Sequence, residues 1–197
     1  MKARRVKKLD PQRSLAENAA RIVGVRLGEL RSLAPQALEP EERSAQHDMR
    51  IAAKRLRYIL EATELCFGDE APRARRRARD LQDILGELHD CDVMLPRVAE
   101  HIETLRAADV DAVCEQAGSA PDLDPRVAVA APNRALYRGL EVLGIYFEAR
   151  RDVLHRRFRE FWAEQERKGT WDRLERGAKT TLREARARRR ALAAEVE

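Results

Sequence analysis

The chain has 197 residues, a formal net charge of +5, 37% charged residues and only 5% aromatic residues. This length suits one domain or two closely packed halves, and the composition favours amphipathic helices over sheets. The three cysteines are odd in number and well separated, which argues against a disulfide framework and a paired-cysteine zinc site. No stretch approaches the roughly 20 apolar residues of a membrane span. We therefore expect a soluble, cytoplasmic, all-α protein.

The predicted elements begin after a basic N-terminal tail, residues 1–13. Ser14, followed three residues later by Glu17, is typical of a helix start, and the apolar spacing predicts a first helix up to about Leu33. Arg26 falls within the apolar face of this helix, where an unpaired guanidinium is costly. Two interpretations stay open: Arg26 reaches the surface or a carboxylate, or it points into a shared anion site.

Proline and glycine residues divide the rest of the chain into further helices. The predicted helices cover residues 41–67, 71–88, 92–117, 134–168 and 171–197. Gly68 is predicted to terminate the first of these. The segment 118–133 is rich in Gly, Pro, Asp and Asn, so it is the predicted linker within a single domain, 14–197, whose halves are about 14–117 and 134–197.

One side of the helix predicted at 41–67 is polar and basic. At about 100° per residue, a narrow sector and its edge hold His47, Arg50, Lys54, Arg57 and Tyr58. The adjoining face is apolar and must be buried, so this stripe borders the core. The nearest carboxylate is that of Glu61, one turn beyond the end of the stripe, and such a surface attracts polyanions.

Two more helices carry basic stripes. The helix at 71–88 and its end contribute Arg75, Arg79, Gln82 and His89, and the helix at 134–168 contributes Arg151, His155 and Arg159. Because linear polyanions are held by many cation contacts, three such stripes can converge on one site. The alternative is that each stripe is a solvated flank that forms surface ion pairs. The chain has 33 arginines against 6 lysines, and arginine can bind phosphate oxygens bidentately.

Two strings in these helices resemble the motif pair of the CHAD family, which is named for its histidine-containing α-helical domain. The first is HDMRIAAKRLRYILE at 47–61, with the pattern His-x-x-Arg-x-x-x-Lys-Arg-x-Arg-Tyr. The second is LQDILGELHDCDV at 81–93, with the pattern Leu-Gln-Asp-x-Leu-Gly-x-Leu-His-Asp. They occur in the order and at the distance typical of the family, and the resemblance extends from residue 10 to the C-terminus.

The resemblance implies an all-helical fold of two pseudo-repeated four-helix units around a basic cavity. It also implies binding of inorganic polyphosphate, in some members at polyphosphate granules. The motif positions carried over to this chain are His47, Arg50, Lys54, Arg55, Arg57, Tyr58, Gln82, Asp83, His89 and Asp90. Arg55 lies away from the His47 stripe by helical position, so we expect it to reach a neighbouring helix or to pair with Asp83.

The second half of the chain departs from the family pattern because it lacks another clear His-x-x-Arg helix. Only Arg151, His155 and Arg159 resemble the first motif in this half. The cavity is therefore either a through-channel or a one-sided groove. Similar proteins are often joined to a CYTH triphosphate-hydrolysing domain, and no such strand-rich module is present in this sequence. A separate CYTH-type or granule-associated protein is therefore an expected partner.

Three alternatives remain. His-Asp dipeptides at 47–48 and 89–90 resemble those of HD-type metal-dependent phosphohydrolases, but Arg50 and Lys54 crowd the sector of His47 and disfavour a metal cation. Nucleic acid is disfavoured because aromatic stacking residues are few and scattered. An acidic protein partner is the third alternative. We predict a polyphosphate-binding domain without enzymatic activity, metal or cofactor, and we include Arg26 among its candidate site residues.

Overall fold

The computed structural model describes residues 2–194, and all regular elements among them are helical. The helices are α1 (Leu15–Ala37), α2 (Arg43–Ala62), α3 (Glu70–Ala117), α4 (Pro125–Val129), α5 (Arg134–Arg167) and α6 (Thr170–Ala194), with a short 3₁₀ turn at Glu64–Cys66. The all-α fold class is therefore confirmed. None of the helices described is long and apolar enough to cross a membrane.

The predicted start of α1 is confirmed. The Ser14 hydroxyl oxygen accepts a hydrogen bond from the backbone N–H of Glu17 at 3.2 Å, which satisfies one of the free donors at the helix N-terminus. The predicted end at Leu33 is too early, because α1 continues through Pro35 to Ala37. Ala37 is fully buried, and this burial helps to keep the last turn helical although proline has no backbone N–H.

Helix α3 is one helix of 48 residues, whereas the sequence predicts two helices with a break after Leu88. The predicted break is wrong. Leu88, Cys91 and Val98 are buried at helical spacing across it, and their burial outweighs the hydrogen bond lost at Pro96. Asp90 consequently lies inside α3 and does not begin a new helix.

The described part of the chain forms two compact units. Unit 1 contains residues 2–87 and 154–194, and unit 2 contains Leu88–Val153. The two halves expected from the sequence, 14–117 and 134–197, divide the chain differently. The difference arises because the segment 118–133, which the sequence predicts as a linker between halves, lies within unit 2 and contains α4.

Unit 1 has a hydrophobic core to which α1, α2, α3, α5 and α6 all contribute. Its largest fully buried side chains include Leu27, Leu30, Met49, Leu56, Leu60, Leu81, Leu85, Phe158, Trp171 and Leu174. Trp162 stacks on Trp171, with ring centroids 5.8 Å apart. Burial of each large apolar side chain stabilises the fold by about 1.5–3 kcal/mol, so packing in this core chiefly holds the helices of unit 1 in place.

Unit 2 is built on the C-terminal part of α3 and the N-terminal part of α5. The buried carboxylate of Asp109 accepts hydrogen bonds from the backbone N–H of Asn133 at 3.0 Å and from its side chain at 2.8 Å. The Tyr137 hydroxyl donates to Asp109 and also lies 3.1 Å from the carbonyl oxygen of Leu105. Burial and the hydrogen bond to Asp109 raise the pKa of Tyr137 to about 12, so the hydroxyl keeps the proton that links the two helices.

Gly68 precedes α3 and does not terminate α2, which already ends at Ala62. Its φ of +55° is a left-handed conformation that costs other residues about 1 kcal/mol. We expect Gly68→Ala to lower the free energy of unfolding by about 1 kcal/mol, whereas Gly28→Ala, within α1, raises it by about 0.5–1 kcal/mol. Neither new methyl group comes within 4 Å of another residue's packing atoms among residues 2–194, so backbone conformation alone separates the two variants. Urea denaturation measures both effects, and two shifts of the same sign would contradict this expectation.

Candidate anion-binding surface

Helix α2 holds its basic residues at the rim of the unit 1 core. The buried face of α2 includes Met49, Ala52, Ala53, Leu56 and Leu60, each with 0% of its surface exposed. This face fixes the rotation of the helix about its axis. The predicted stripe (His47, Arg50, Lys54, Arg57 and Tyr58) therefore lies on the other side, where Lys54 and Tyr58 are exposed and the other three are half-buried. We call this set the α2 stripe.

Three cations of the α2 stripe have no carboxylate partner in the described part of the chain. Among residues 2–194, Arg50, Lys54 and Arg57 form no ion pair, and the Nε atoms of both arginines are buried without a hydrogen-bond partner. A buried N–H group that makes no hydrogen bond costs about 1–3 kcal/mol. An anion that accepted hydrogen bonds from these groups would remove that cost.

Several exposed cations elsewhere in the chain are paired along their own helix. Arg73 lies 3.3 Å from Glu70, and Arg77 lies 2.9 Å from Asp80, both at a spacing of three residues. Such pairs are the ordinary arrangement of a solvated helix flank. The α2 stripe differs from them because, within residues 2–194, Arg50, Lys54 and Arg57 have no neighbouring carboxylate that neutralises their charge.

The ring of Tyr58 lies close to two of these cations. The guanidinium carbon of Arg57 is 4.7 Å from the ring centroid, and the Nζ atom of Lys54 is 5.9 Å from it. Cation–π contacts at exposed sites are worth about 0.5–1 kcal/mol. They orient the two cations without cancelling their charge, so the charge remains available to an anion.

Arginines of α2 and α3 line an open recess of about 550 Å³. Its lining residues are Arg57, Glu61, Arg75, Arg76 and Arg79. The recess is thus lined by four guanidinium groups and one carboxylate. Two of the four form surface ion pairs outside the lining, Arg75 with Glu64 at 3.4 Å and Arg79 with Asp83 at 3.7 Å. Exposed pairs of this kind contribute at most about 1 kcal/mol, so a phosphate group can displace them. We call this cavity the arginine recess.

The sequence does not single out Arg76, which is in the recess. Its helical position lies about 100° from that of Arg75, outside the predicted sector. The run of three arginines at 75–77 is the signal that could have identified it. Gln82 is half-buried, and its Oε1 atom is buried without a hydrogen-bond partner in the described residues.

Arg55 is half-buried on α2. Asp83, one of its two expected partners, is exposed and contacts Arg79 on its own helix. His89 is half-buried and belongs to unit 2, not to the unit that contains the α2 stripe.

Arg26 is engaged within unit 1. Its guanidinium pairs with the fully buried carboxylate of Glu29 and donates a hydrogen bond to the backbone carbonyl of Arg4 at 3.0 Å. The backbone N–H of Arg4 donates to the same carboxylate. Of the two interpretations open from the sequence, the structure therefore favours the one in which Arg26 meets a carboxylate, and these bonds also tie the basic N-terminal segment to α1.

The predicted stripe on the fifth helix is divided between different environments. Arg151 is only 5% exposed, belongs to unit 2 and lies 2.7 Å from the carboxylate of Asp92. His155 is also 5% exposed and packs edge-on against Phe158, with ring centroids 6.0 Å apart. Arg159 is exposed. Arg151 and His155 are therefore buried in the protein interior. They do not form, with Arg159, the exposed basic stripe that the sequence predicts.

The α2 stripe and the arginine recess offer permanent positive charge and N–H donors, which are the groups that bind phosphate oxygens. In the part of the chain that the structure describes, no group of three or more His, Cys, Asp or Glu side chains is arranged to hold a metal ion. Burial raises the pKa of the Cys91 thiol, and the nearby Arg150 offsets this effect only in part. The reactive thiolate form of Cys91 is consequently disfavoured.

Residues 2–99 match the family model for the CHAD domain. No curated protein and no solved structure gives a significant match to the chain. The matched region contains α1, α2 and the first part of α3, so it includes the α2 stripe and the arginine recess. It also contains both motif strings, at 47–61 and 81–93. Through residues 2–99, the chain belongs to the CHAD family.

Proposed function

We propose that this chain binds inorganic polyphosphate, without catalysis, through the α2 stripe and the arginine recess. One observation carries the proposal: Arg50, Lys54 and Arg57 occupy successive turns of α2, and none of them has a carboxylate partner within residues 2–194. A helix that places three cations in this way at the border of its core is stabilised by an external anion.

A linear polyanion fits this arrangement better than a single phosphate. Arg50 and Arg57 are seven residues apart, which corresponds to roughly 10 Å along a helix, so several neighbouring phosphates can be contacted at once. Arg57 also lines the recess, so the polyanion can continue from α2 to Arg76 and Arg79. Each contact releases condensed counterions, and the contributions add along the chain.

The choice of polyphosphate among polyanions rests on the family. The proposal includes an arrangement of two four-helix units around a basic cavity, which the CHAD resemblance implies. It also includes association with polyphosphate granules and a separate CYTH-type or granule-associated partner. Arg26 and Arg151 are left out of the proposed binding surface, because their guanidinium groups are engaged by Glu29 and Asp92.

Binding titrations test the proposal. Phosphate, triphosphate, long-chain polyphosphate and double-stranded DNA are titrated, with and without a divalent metal, into the wild type and an Arg50→Ala/Lys54→Ala variant. We expect the variant to bind long-chain polyphosphate at least about tenfold more weakly, a loss of ~1.4 kcal/mol, because two charge-assisted contacts are removed. Helicity measured by circular dichroism is expected to be unchanged.

An Arg106→Ala/Lys179→Ala variant is the matched control. It removes one arginine and one lysine, as the test variant does, but both side chains are exposed and already paired, with Glu103 and Glu175. It should bind polyphosphate almost as well as the wild type. Equal losses in the two variants would show that only net charge matters. Displacement of polyphosphate by DNA at equal phosphate concentration would refute the preference for polyphosphate.

A further inference from the structure

Unit 2 exposes an apolar face on α5. Its members, Val142, Ile145, Tyr146 and Val153, have 60%, 65%, 53% and 54% of their surface exposed. At about 100° per residue they lie on the side of the helix opposite Gly144, whose Cα faces Val98 of α3. Ala135 and Ala149 fall in the same sector. We call these six residues the α5 apolar face.

Single exposed apolar residues are normal on a soluble protein, but a contiguous row along one helix is not. The α5 apolar face covers 135–153, which corresponds to roughly 27 Å of helix. A helix with apolar residues on two opposite sides is typical of a bundle in which it has neighbours on both sides. Within unit 2, α3 supplies a neighbour on one side of α5.

The charges beside this face identify the second neighbour. Along one edge, four charged residues mark the ends of the face: Arg134 and Arg138 near its N-terminal end, and Glu148 and Asp152 near its C-terminal end, with Glu141 between the two pairs. All four are exposed, and within residues 2–194 the side chains of Arg138, Glu148 and Asp152 form no ion pair. If the same helix from another molecule lies antiparallel against the face, the basic end of each edge meets the acidic end of the other.

We propose that the α5 apolar face binds a second copy of this chain, with the two α5 helices antiparallel and related by a two-fold axis. Such an interface is isologous, so one surface must complement itself, and the change of charge sign along the edge provides that property. In such a dimer the apolar residues are buried between the two α5 helices, and each α5 lies between α3 of its own unit 2 and α5 of the second copy.

The oligomeric state of the full chain tests this proposal. Sedimentation equilibrium over a range of protein concentrations should detect a monomer–dimer equilibrium in the wild type. A Val142→Lys/Ile145→Lys variant should dimerise at least about tenfold more weakly, because two charges are placed in the apolar contact. These side chains are exposed in the monomer, so helicity should be retained. A Leu65→Lys/Leu192→Lys variant, which alters two exposed leucines of unit 1, is the matched control and should dimerise as the wild type does.

A charge-reversal series tests the antiparallel arrangement. Arg138→Glu should weaken the dimer, because it places like charges opposite Glu148 and Asp152 of the second copy. Adding Glu148→Arg and Asp152→Arg to the same chain restores opposite charges and should recover dimerisation. A wild type that stays monomeric at its highest soluble concentration overturns the proposal, as does a dimer that survives the two lysines. Failure of the triple variant to recover dimerisation, with helicity retained, overturns the antiparallel arrangement.

Discussion

Raising the salt concentration about fourfold should weaken polyphosphate binding by about 50-fold. Four cations of the proposed surface, Arg50, Lys54, Arg57 and Arg76, have no ion-pair partner within residues 2–194, so each can displace a counterion from the ligand. The slope expected for a flexible single-stranded polyanion is roughly −0.7 per contact, which gives a total of about −2.8 for four contacts. The weakening is steep because all four contacts are made to one ligand, so the counterions released at each contact add up.

The same titrations in the Arg50→Ala/Lys54→Ala variant test whether these cations carry the effect. With two contacts removed, the same salt increase should weaken binding only about sevenfold. The Arg106→Ala/Lys179→Ala variant should keep the wild-type slope, because its cations are outside the proposed surface. Binding that does not depend on salt, or equal slopes in all three proteins, would contradict the assignment of the ligand to the α2 stripe and the arginine recess.

Replacement of Glu17 by alanine should lower the free energy of unfolding by about 3 kcal/mol. Glu17 is 1% exposed, and its carboxylate lies 2.9 Å from Arg13, 3.0 Å from Arg21, 3.5 Å from Arg189 and 3.8 Å from Arg186. It thus joins the segment before α1, α1 itself and α6. The loss should fall at the low end for a buried ion pair, because Arg186 and Arg189 are about half exposed and regain water.

Chemical denaturation measures this loss, and Glu175→Ala is the matched control. Glu175 also contacts two cations, Arg31 at 3.4 Å and Lys179, but its side chain is 38% exposed. Its removal should change the free energy of unfolding by less than about 1 kcal/mol. If both variants lost the same stability, burial of Glu17 would not be the cause of its effect.

The effect of Glu17 should also depend on pH. Burial by itself raises the pKa of Glu17, but hydrogen bonds and positive charge from Arg21, Arg189 and Arg13 outweigh it and hold the pKa below its ordinary value of 4.5. A carboxylate whose pKa is lower in the folded state stabilises the fold fully above the unfolded value and loses that contribution as the pH falls through the folded value. The stability difference between wild type and Glu17→Ala should be constant near neutral pH and shrink under acid conditions. A difference that widened on acidification would contradict the sign of this pKa shift.

The helical fold and the orientation of α2 could be predicted because their signal is local. Met49, Leu56 and Leu60 recur at helical spacing, and all three are fully buried as that spacing requires. The break predicted inside α3 is wrong for the opposite reason. Proline is tolerated only near the start of a helix, so Pro96 favours a new helix that begins shortly before it, whereas burial of side chains on both sides of Pro96 keeps the helix continuous.

The sequence predicts which site residues share one side of a helix, but it does not predict which residues of different helices come together. Arg50, Lys54 and Arg57 share one helix, so their common side follows from spacing alone. The partner of Arg151 is Asp92, 59 residues away in sequence, and only the packed structure brings the two together. Arg76 illustrates the same limit, because its place in the recess depends on how α2 and α3 lie against each other.

The polypeptide enters unit 2 along α3 and leaves it along α5, and the residues of these two helices lie opposite each other in antiparallel order. Val98 lies beside Gly144, and Leu105 lies beside Tyr137. A change in the length of unit 2 must therefore remove or add the same number of residues in α3 and in α5. The change must also correspond to whole helical turns, because only then do the facing side chains stay in register. Matched deletions of this kind would shorten unit 2, Leu88–Val153, and would leave every residue of the arginine recess in the chain. Unit 2 is therefore the part of the chain whose length can change without loss of the proposed binding residues.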